Sequence, residues 1–211
     1  VYEQASKAKR LSGVIAAVDD ERVYEALTAH GGKAMMTAKD HPTGTDRLAE
    51  VAAAHPEAEL IINVQGDEPL IEPALIDALA AAFDDDPELQ MATVKSPMTD
   101  VEEMKNPNNV KVVTDKKGYA LYFSRSLLPY PRENAGAVVY KHIGIYAYKR
   151  DFLLNYAKMA PTRLEQTESL EQLRALENGY KIKVIATDFH FVGVDTPEDL
   201  VEVNRLYQER L

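Results

Sequence analysis

The chain has 211 residues, 45% of them hydrophobic, no cysteine and a formal net charge of −10. That length suits one large α/β domain with a substantial core, and the lack of cysteine excludes disulfides and thiolate chemistry and fits a cytoplasmic protein. An acidic chain without a Lys/Arg run is no general nucleic-acid binder, no apolar run of about 18 residues is available to span a membrane, and an anionic substrate would need a few placed cations and a metal rather than the overall field.

Val1–Lys9 reads as the tail of a helix with no strand before it, where α/β domains usually open with a strand. Gly13–Val18 predicts a strand, and Asp19–His30 a helix closed by Gly31 and Gly32. Lys33–Thr37 is a second strand, and Thr45–His55 a helix with Leu48, Val51 and Ala52 on one face. Leu60–Val64 has the profile of a buried central strand. Pro73–Phe83 is a helix with proline at its first position, and Met91–Lys95 another strand. The strands Val110–Thr114 and Tyr119–Ser124 flank Asp115–Gly118 as a β-hairpin. A strand at His142–Tyr148, helices near Asp151–Lys158 and Arg163–Asn178, and a strand at Lys181–Ala186 follow. Thr196, Pro197 and Asp199 open the last helix with a capping box. The alternation predicts an α/β fold with a Rossmann-like, mostly parallel sheet and an inserted antiparallel hairpin lobe.

In such sheets ligands bind beyond the carboxyl ends of the strands. Asp67 stands there after Ile61–Gly66, and Asp195 follows the apolar run Phe191–Val194. Two such carboxylates could share one magnesium ion, which prefers oxygen ligands and substrate phosphates. Taken singly, Asp67 is equally a turn aspartate and Asp195 a helix-start carboxylate. The loop Asp40–Arg47 before a helix suits a polar heterocycle or an anion, or is only a capping loop. P-loop and dinucleotide fingerprints are absent.

On the strand Tyr119–Arg125, residues Tyr119, Leu121, Phe123 and Arg125 share a face. Arg125 there could grip a carboxylate with its planar fork or make a surface ion pair. On His142–Tyr148, His142, Gly144, Tyr146 and Tyr148 share one face and Ile143, Ile145 and Ala147 the other. The polar face fits a hydroxyl-rich ligand, or half-solvated aromatic packing. Within Arg163–Asn178, Leu170, Leu173 and Leu176 point to a core, while Glu171 and Gln172 lie on another side, free to bond hydroxyls or simply solvated. The five histidines lack zinc-ligand spacing.

Seven stretches occur in one order: His41-Pro-Thr-Gly-Thr-Asp-Arg47, Asn63-Val-Gln-Gly-Asp-Glu-Pro69, Asn108-Asn-Val-Lys-Val-Val113, Tyr119-Ala-Leu-Tyr-Phe-Ser-Arg125, His142-Ile-Gly-Ile-Tyr-Ala-Tyr148, Leu170-Glu-Gln-Leu-Arg174 and Gly193-Val-Asp-Thr-Pro-Glu-Asp-Leu200. Together they resemble the 3-deoxy-D-manno-octulosonate (Kdo) cytidylyltransferases over nearly the whole chain. The resemblance implies transfer of CMP from CTP to Kdo for lipopolysaccharide biosynthesis, in a cytoplasmic homodimer. It implies magnesium on Asp67 and Asp195, with Gln65 beside the sugar. It implies Kdo binding by Arg125, His142, Tyr146, Glu171 and Gln172, with Arg125 on the carboxylate, and Thr45 and Arg47 near the cytidine. Thr43 replaces the family's usual serine and keeps its hydroxyl. The family opens with a strand and a basic loop that clasps the CTP phosphates, and no such loop occurs here. The expectation is therefore a single domain over residues 1–211 lacking that strand and loop, with little turnover of its own and unpaired sheet edges. Residues 108–148 would be its sugar-binding and dimerisation insert. A cytidylyltransferase for another acid sugar, such as a sialic acid, and a non-catalytic binding or assembly module are the alternative readings.

Overall fold

The structure, a computed structural model, describes residues 1–133, 138–189, 191–194 and 196–209. A short helix α1 (Tyr2–Ala5) leads into β1 (Ala16–Val18), α2 (Glu21–Ala29) and β2 (Ala34–Met36). The two strands pair in parallel across α2. Asp20 caps that helix by accepting from the Arg22 N–H at 2.9 Å, and the chain leaves it through Gly31, whose φ of +78° suits glycine.

The main sheet contains β3 (Leu60–Asn63), β4 (Met91–Met98), β5 (Lys111–Thr114), β6 (Ala120–Ser124), β7 (Val139–Lys149) and β8 (Ile182–Ala186). Its order is β6-β5-β7-β4-β8, with β3 also paired to β7. β4 and β8 pair in parallel, while β7 runs antiparallel to β3, β4 and β5. Four strands thus point one way and β6 and β7 run against them, giving a mixed α/β fold whose strands mostly share a direction. The expected hairpin forms β5–β6. Its Asp115 carboxylate accepts from the N–H groups of Lys117 and Tyr119, and Gly118 turns at a φ of +81°.

β7 divides the core as its alternation requires. Ile143, Ile145 and Ala147 pack in one cluster with Leu75, Ile76 and Leu79 of α4 (Pro73–Asp85). Tyr148 packs in the other with Ala52 of α3 (Gly44–Ala54), Phe152, Leu153 and Tyr156 of α6 (Arg150–Tyr156), and Leu173 and Ala175 of α8 (Gln172–Glu177). Cutting a fully buried leucine such as Leu153 to alanine would cost about 2–5 kcal/mol. The last helix, α9 (Pro197–Glu209), opens with the expected reciprocal bonds between Thr196 and Asp199.

Two expectations need correction. β3 is not a buried central strand: all four of its residues are half-buried, and among the described residues it pairs only with β7. Among the described residues β1 likewise pairs only with β2, so among them each presents an unpaired backbone edge. The apolar run of β3 reports how much surface it buries against its neighbours, and cannot report how many strands pair beside it. The single helix expected over Arg163–Asn178 is two, α7 (Arg163–Glu168) and α8, broken where Ser169 adopts φ 52°. The break tucks Leu170 into the core and places Glu171 and Gln172 at the start of a new helix.

Candidate active site

Asn63 of β3, Tyr146 of β7 and Thr93 of β4 stand on one rung of the main sheet. Over this rung lies a cavity of about 220 Å³ lined by Gly44, Thr45, Asn63, Gln65, Met91, Tyr146, Tyr148, Tyr156, Glu171 and Gln172. The first turn of α3 and the start of α8 form its walls. Thr45 Oγ1 donates to the Glu171 carboxylate at 3.0 Å, and the Tyr156 hydroxyl donates to the Glu171 carbonyl at 2.6 Å. Beneath them Arg174 grips Glu165 through both of its carboxylate oxygens, and its guanidinium lies 3.8 Å from Glu171. Burial is the largest single influence and works against the Glu165 charge, but the hydrogen bonds and charge of Arg174 together with the bonds from Thr162 hold that carboxyl below its ordinary value. Removing either partner would strand a buried charge at a cost of about 3–5 kcal/mol.

The cavity is weakly ionising and rich in hydrogen-bonding groups. Burial pushes the phenols of Tyr146, Tyr148 and Tyr156 well up, so all three stay neutral. Burial also raises the Glu171 carboxyl, against the opposing pull of the Thr45 hydroxyl. Gln172 is only 4% exposed, and among the described residues its Nε2 has no hydrogen-bond partner. A buried unpaired amide is costly in the free protein, at about 1–3 kcal/mol, and a ligand oxygen at that position would recover the loss.

The structure thus brings together Gln65, Tyr146, Glu171, Gln172 and Thr45 of the expected site. His142 lies beside them, its ring centroid 5.4 Å from that of Tyr146, and burial pushes its pKa down to about 3. Thr45, expected near the cytidine, stands on the wall shared with Glu171. Arg47 does stand apart, bonded to Thr37 at 2.5 Å and Asp19 at 2.6 Å beyond the carboxyl ends of β2 and β1.

Arg125 stands apart from the other expected sugar contacts. It is not among the residues lining the cavity, and three of its five N–H donors go to the carbonyls of Glu168 (2.7 Å), Pro107 (3.1 Å) and Ser169 (3.2 Å). A helix leaves its last carbonyls unpaired, and Arg125 serves as the cap that α7 requires where Ser169 breaks it. Among its described residues, the expected sugar-binding stretch 108–148 contributes Tyr146 and Tyr148 to the lining.

Asp67 is exposed just beyond β3, and no described residue bonds or pairs with its carboxylate. Its carbonyl accepts from the Val194 N–H at 2.9 Å, which fastens the loop after β3 to the segment leading to α9. Asp195 lies outside the described residues. Among the described residues, no cluster of three or more His, Cys, Asp or Glu side chains could hold a metal. Asn63, Met91 and Tyr156 were not legible as site residues. Tyr148 shared a face with Tyr146 in the sequence pattern, and Tyr156 carried no signal beyond an apolar helix position.

The Cytidylyltransferase family matches residues 1–182. A 3-deoxy-manno-octulosonate cytidylyltransferase of Fusobacterium nucleatum subsp. nucleatum is 54% identical over 99% of this chain and 85% of its own length. The chain belongs to the 3-deoxy-manno-octulosonate cytidylyltransferases. A solved CMP:2-keto-3-deoxy-manno-octonic acid synthetase complexed with CTP shares the fold at a TM-score of 0.94 and 44% identity, covering 100% of this chain and 86% of that one. A 4-diphosphocytidyl-2C-methyl-D-erythritol synthase from Anaerococcus prevotii is similar in fold alone, at a TM-score of 0.64 and 16% identity over 98% of this chain and 83% of that one. Among the described residues, no helix of this cytidylyltransferase is long and apolar enough to cross a membrane.

Proposed function

We propose that this cytidylyltransferase activates Kdo, and that the cavity above the Asn63–Tyr146–Thr93 rung holds the sugar. The anomeric oxygen attacks the α-phosphorus of CTP, the bond from that phosphorus to the bridging oxygen breaks, and pyrophosphate leaves with its electron pair. The hydroxyl proton is lost to solvent. The chain's own part is positioning. Glu171, fixed by Thr45 and Tyr156, accepts from sugar hydroxyls; Gln172 Nε2 donates to a sugar oxygen; the neutral tyrosines add no negative charge of their own beside an acid sugar. The buried Gln172 Nε2, unpartnered among the described residues, carries the reading, because it marks a place where a ligand acceptor completes the structure. Isothermal titration of Kdo tests it. Gln172→Leu is expected to leave folding stability equal or higher and to weaken Kdo about tenfold; unchanged affinity would remove the cavity from sugar binding.

Magnesium is the cofactor we assign. The exposed Asp67 carboxylate suits a hard cation, and Asp67 with Asp195 would hold it. Bound there, the ion would supply charge neutralisation on phosphate and a lowered pKa for the attacking hydroxyl. Arg47 and the α3 start are placed on the cytidine side. We also propose a cytoplasmic homodimer. Leu121, Tyr130 and Val138, all at least half exposed, supply apolar surface for a second copy. Sedimentation showing a monomer at high micromolar concentration would contradict the dimer.

A further inference from the structure

β7 carries an irregularity beside the cavity. Thr93 of β4 faces Tyr146, while the next residue, Val94, faces Ile143, so Gly144 and Ile145 have no opposing residue. The fully buried Thr93 hydroxyl fills this gap. Its Oγ1 lies 2.8 Å from the Ile145 carbonyl oxygen, 3.1 Å from that of Ile143 and 2.9 Å from His142 Nε2. A hydroxyl has one proton and two lone pairs, and a carbonyl oxygen can only accept. Two carbonyl oxygens at these distances from Oγ1 repel it unless its proton points at them. The proton is therefore committed to the carbonyls, and His142 Nε2 must supply the proton of the third bond.

We propose that Thr93 is a positioning residue that holds His142 as the neutral Nε2–H tautomer, leaving Nδ1 to accept a hydrogen bond from a hydroxyl of the bound sugar. Among the described residues Nδ1 has no hydrogen-bond partner. The ring is fixed edge-on by Phe123, with centroids 4.9 Å apart at 78°, and lies against Tyr146 of the cavity wall. Its burial favours the neutral imidazole. On this assignment His142 is neither a cation for the sugar carboxylate nor a proton donor through Nδ1. The recognised group is an alcohol. The second half of the proposal rests on the Kdo reading above, while the first does not.

The test is a long-range proton–nitrogen NMR correlation on the protein with labelled histidine rings. In the sugar-free protein at neutral pH, His142 is expected to show a protonated Nε2 and a bare Nδ1. Kdo is expected to shift the Nδ1 resonance in the direction of an acceptor receiving a hydrogen bond. Thr93→Ser keeps the hydroxyl and should hold the tautomer, with Kdo affinity within about twofold of the unaltered protein. Thr93→Val should mix the tautomers and weaken Kdo about tenfold. If the valine variant fails to fold, the unaltered protein and the serine variant still decide. An imidazolium or an Nδ1–H tautomer in the sugar-free protein overturns the role of Thr93. Kdo binding with no movement of Nδ1 overturns the alcohol contact, and no Kdo binding at all overturns the sugar reading that this contact rests on.

Discussion

The Thr45 hydroxyl donates to the Glu171 carboxylate at 3.0 Å, joining the first turn of α3 to the start of α8 across 126 residues of sequence. Both residues line the same cavity. The loop expected to meet the nucleotide therefore also sets the orientation of a carboxylate expected to meet the sugar. Thr45→Val removes the donor and leaves the backbone unchanged. Kdo affinity is expected to fall about tenfold in a calorimetric titration of Kdo, and unchanged Kdo affinity would contradict this coupling.

Glu171→Gln should change how stability depends on pH. Burial raises the Glu171 carboxyl in the folded protein, so the folded state holds that proton more tightly than the unfolded chain. Its contribution to stability is full below the unfolded value and is lost as pH rises through the folded one. Urea unfolding at several pH values should show the variant gaining on the unaltered protein across that window, with no further divergence at higher pH. Parallel curves would contradict the burial of the charge.

His142 works in the opposite sense. Its folded value is about 3 against an ordinary 6.5, so the stability of the neutral buried ring is complete above 6.5 and is lost as pH falls from there. The acid limb should steepen by up to ~1.4 kcal/mol per pH unit. His142→Gln is expected to flatten that limb in the same unfolding experiment.

Arg125→Met separates two roles. As the clasp on Pro107, Glu168 and Ser169, the guanidinium should be worth about 2–3 kcal/mol of folding stability. Chemical denaturation is expected to show that loss, while calorimetry finds Kdo affinity in the surviving folded protein within about twofold of the original. A large affinity loss with unchanged stability would return Arg125 to the sugar carboxylate.

The fold was legible where local chemistry decides it. The capped helices, the Asp115–Gly118 turn and the two-faced strand His142–Tyr148 follow from residues close in sequence. The break at Ser169 was not, because it depends on Arg125, some 44 residues away, taking up the carbonyls it exposes. In the site, Tyr146, Glu171 and Gln172 could be picked out from their periodicity and from the family motifs. Arg125 shows the limit of that reading: an arginine at the end of an apolar strand face looks the same whether its fork meets a ligand or a helix end. Thr93 was invisible for the same reason, since its effect depends on a bulge in the neighbouring strand.

The most direct test of the account is release of pyrophosphate from CTP and magnesium with either Kdo or a sialic acid as acceptor. Kdo-dependent release that is lost in Asp67→Asn, with no release from the sialic acid, is the expected result. Equal release with the sialic acid, or full activity in Asp67→Asn, would contradict the assignment.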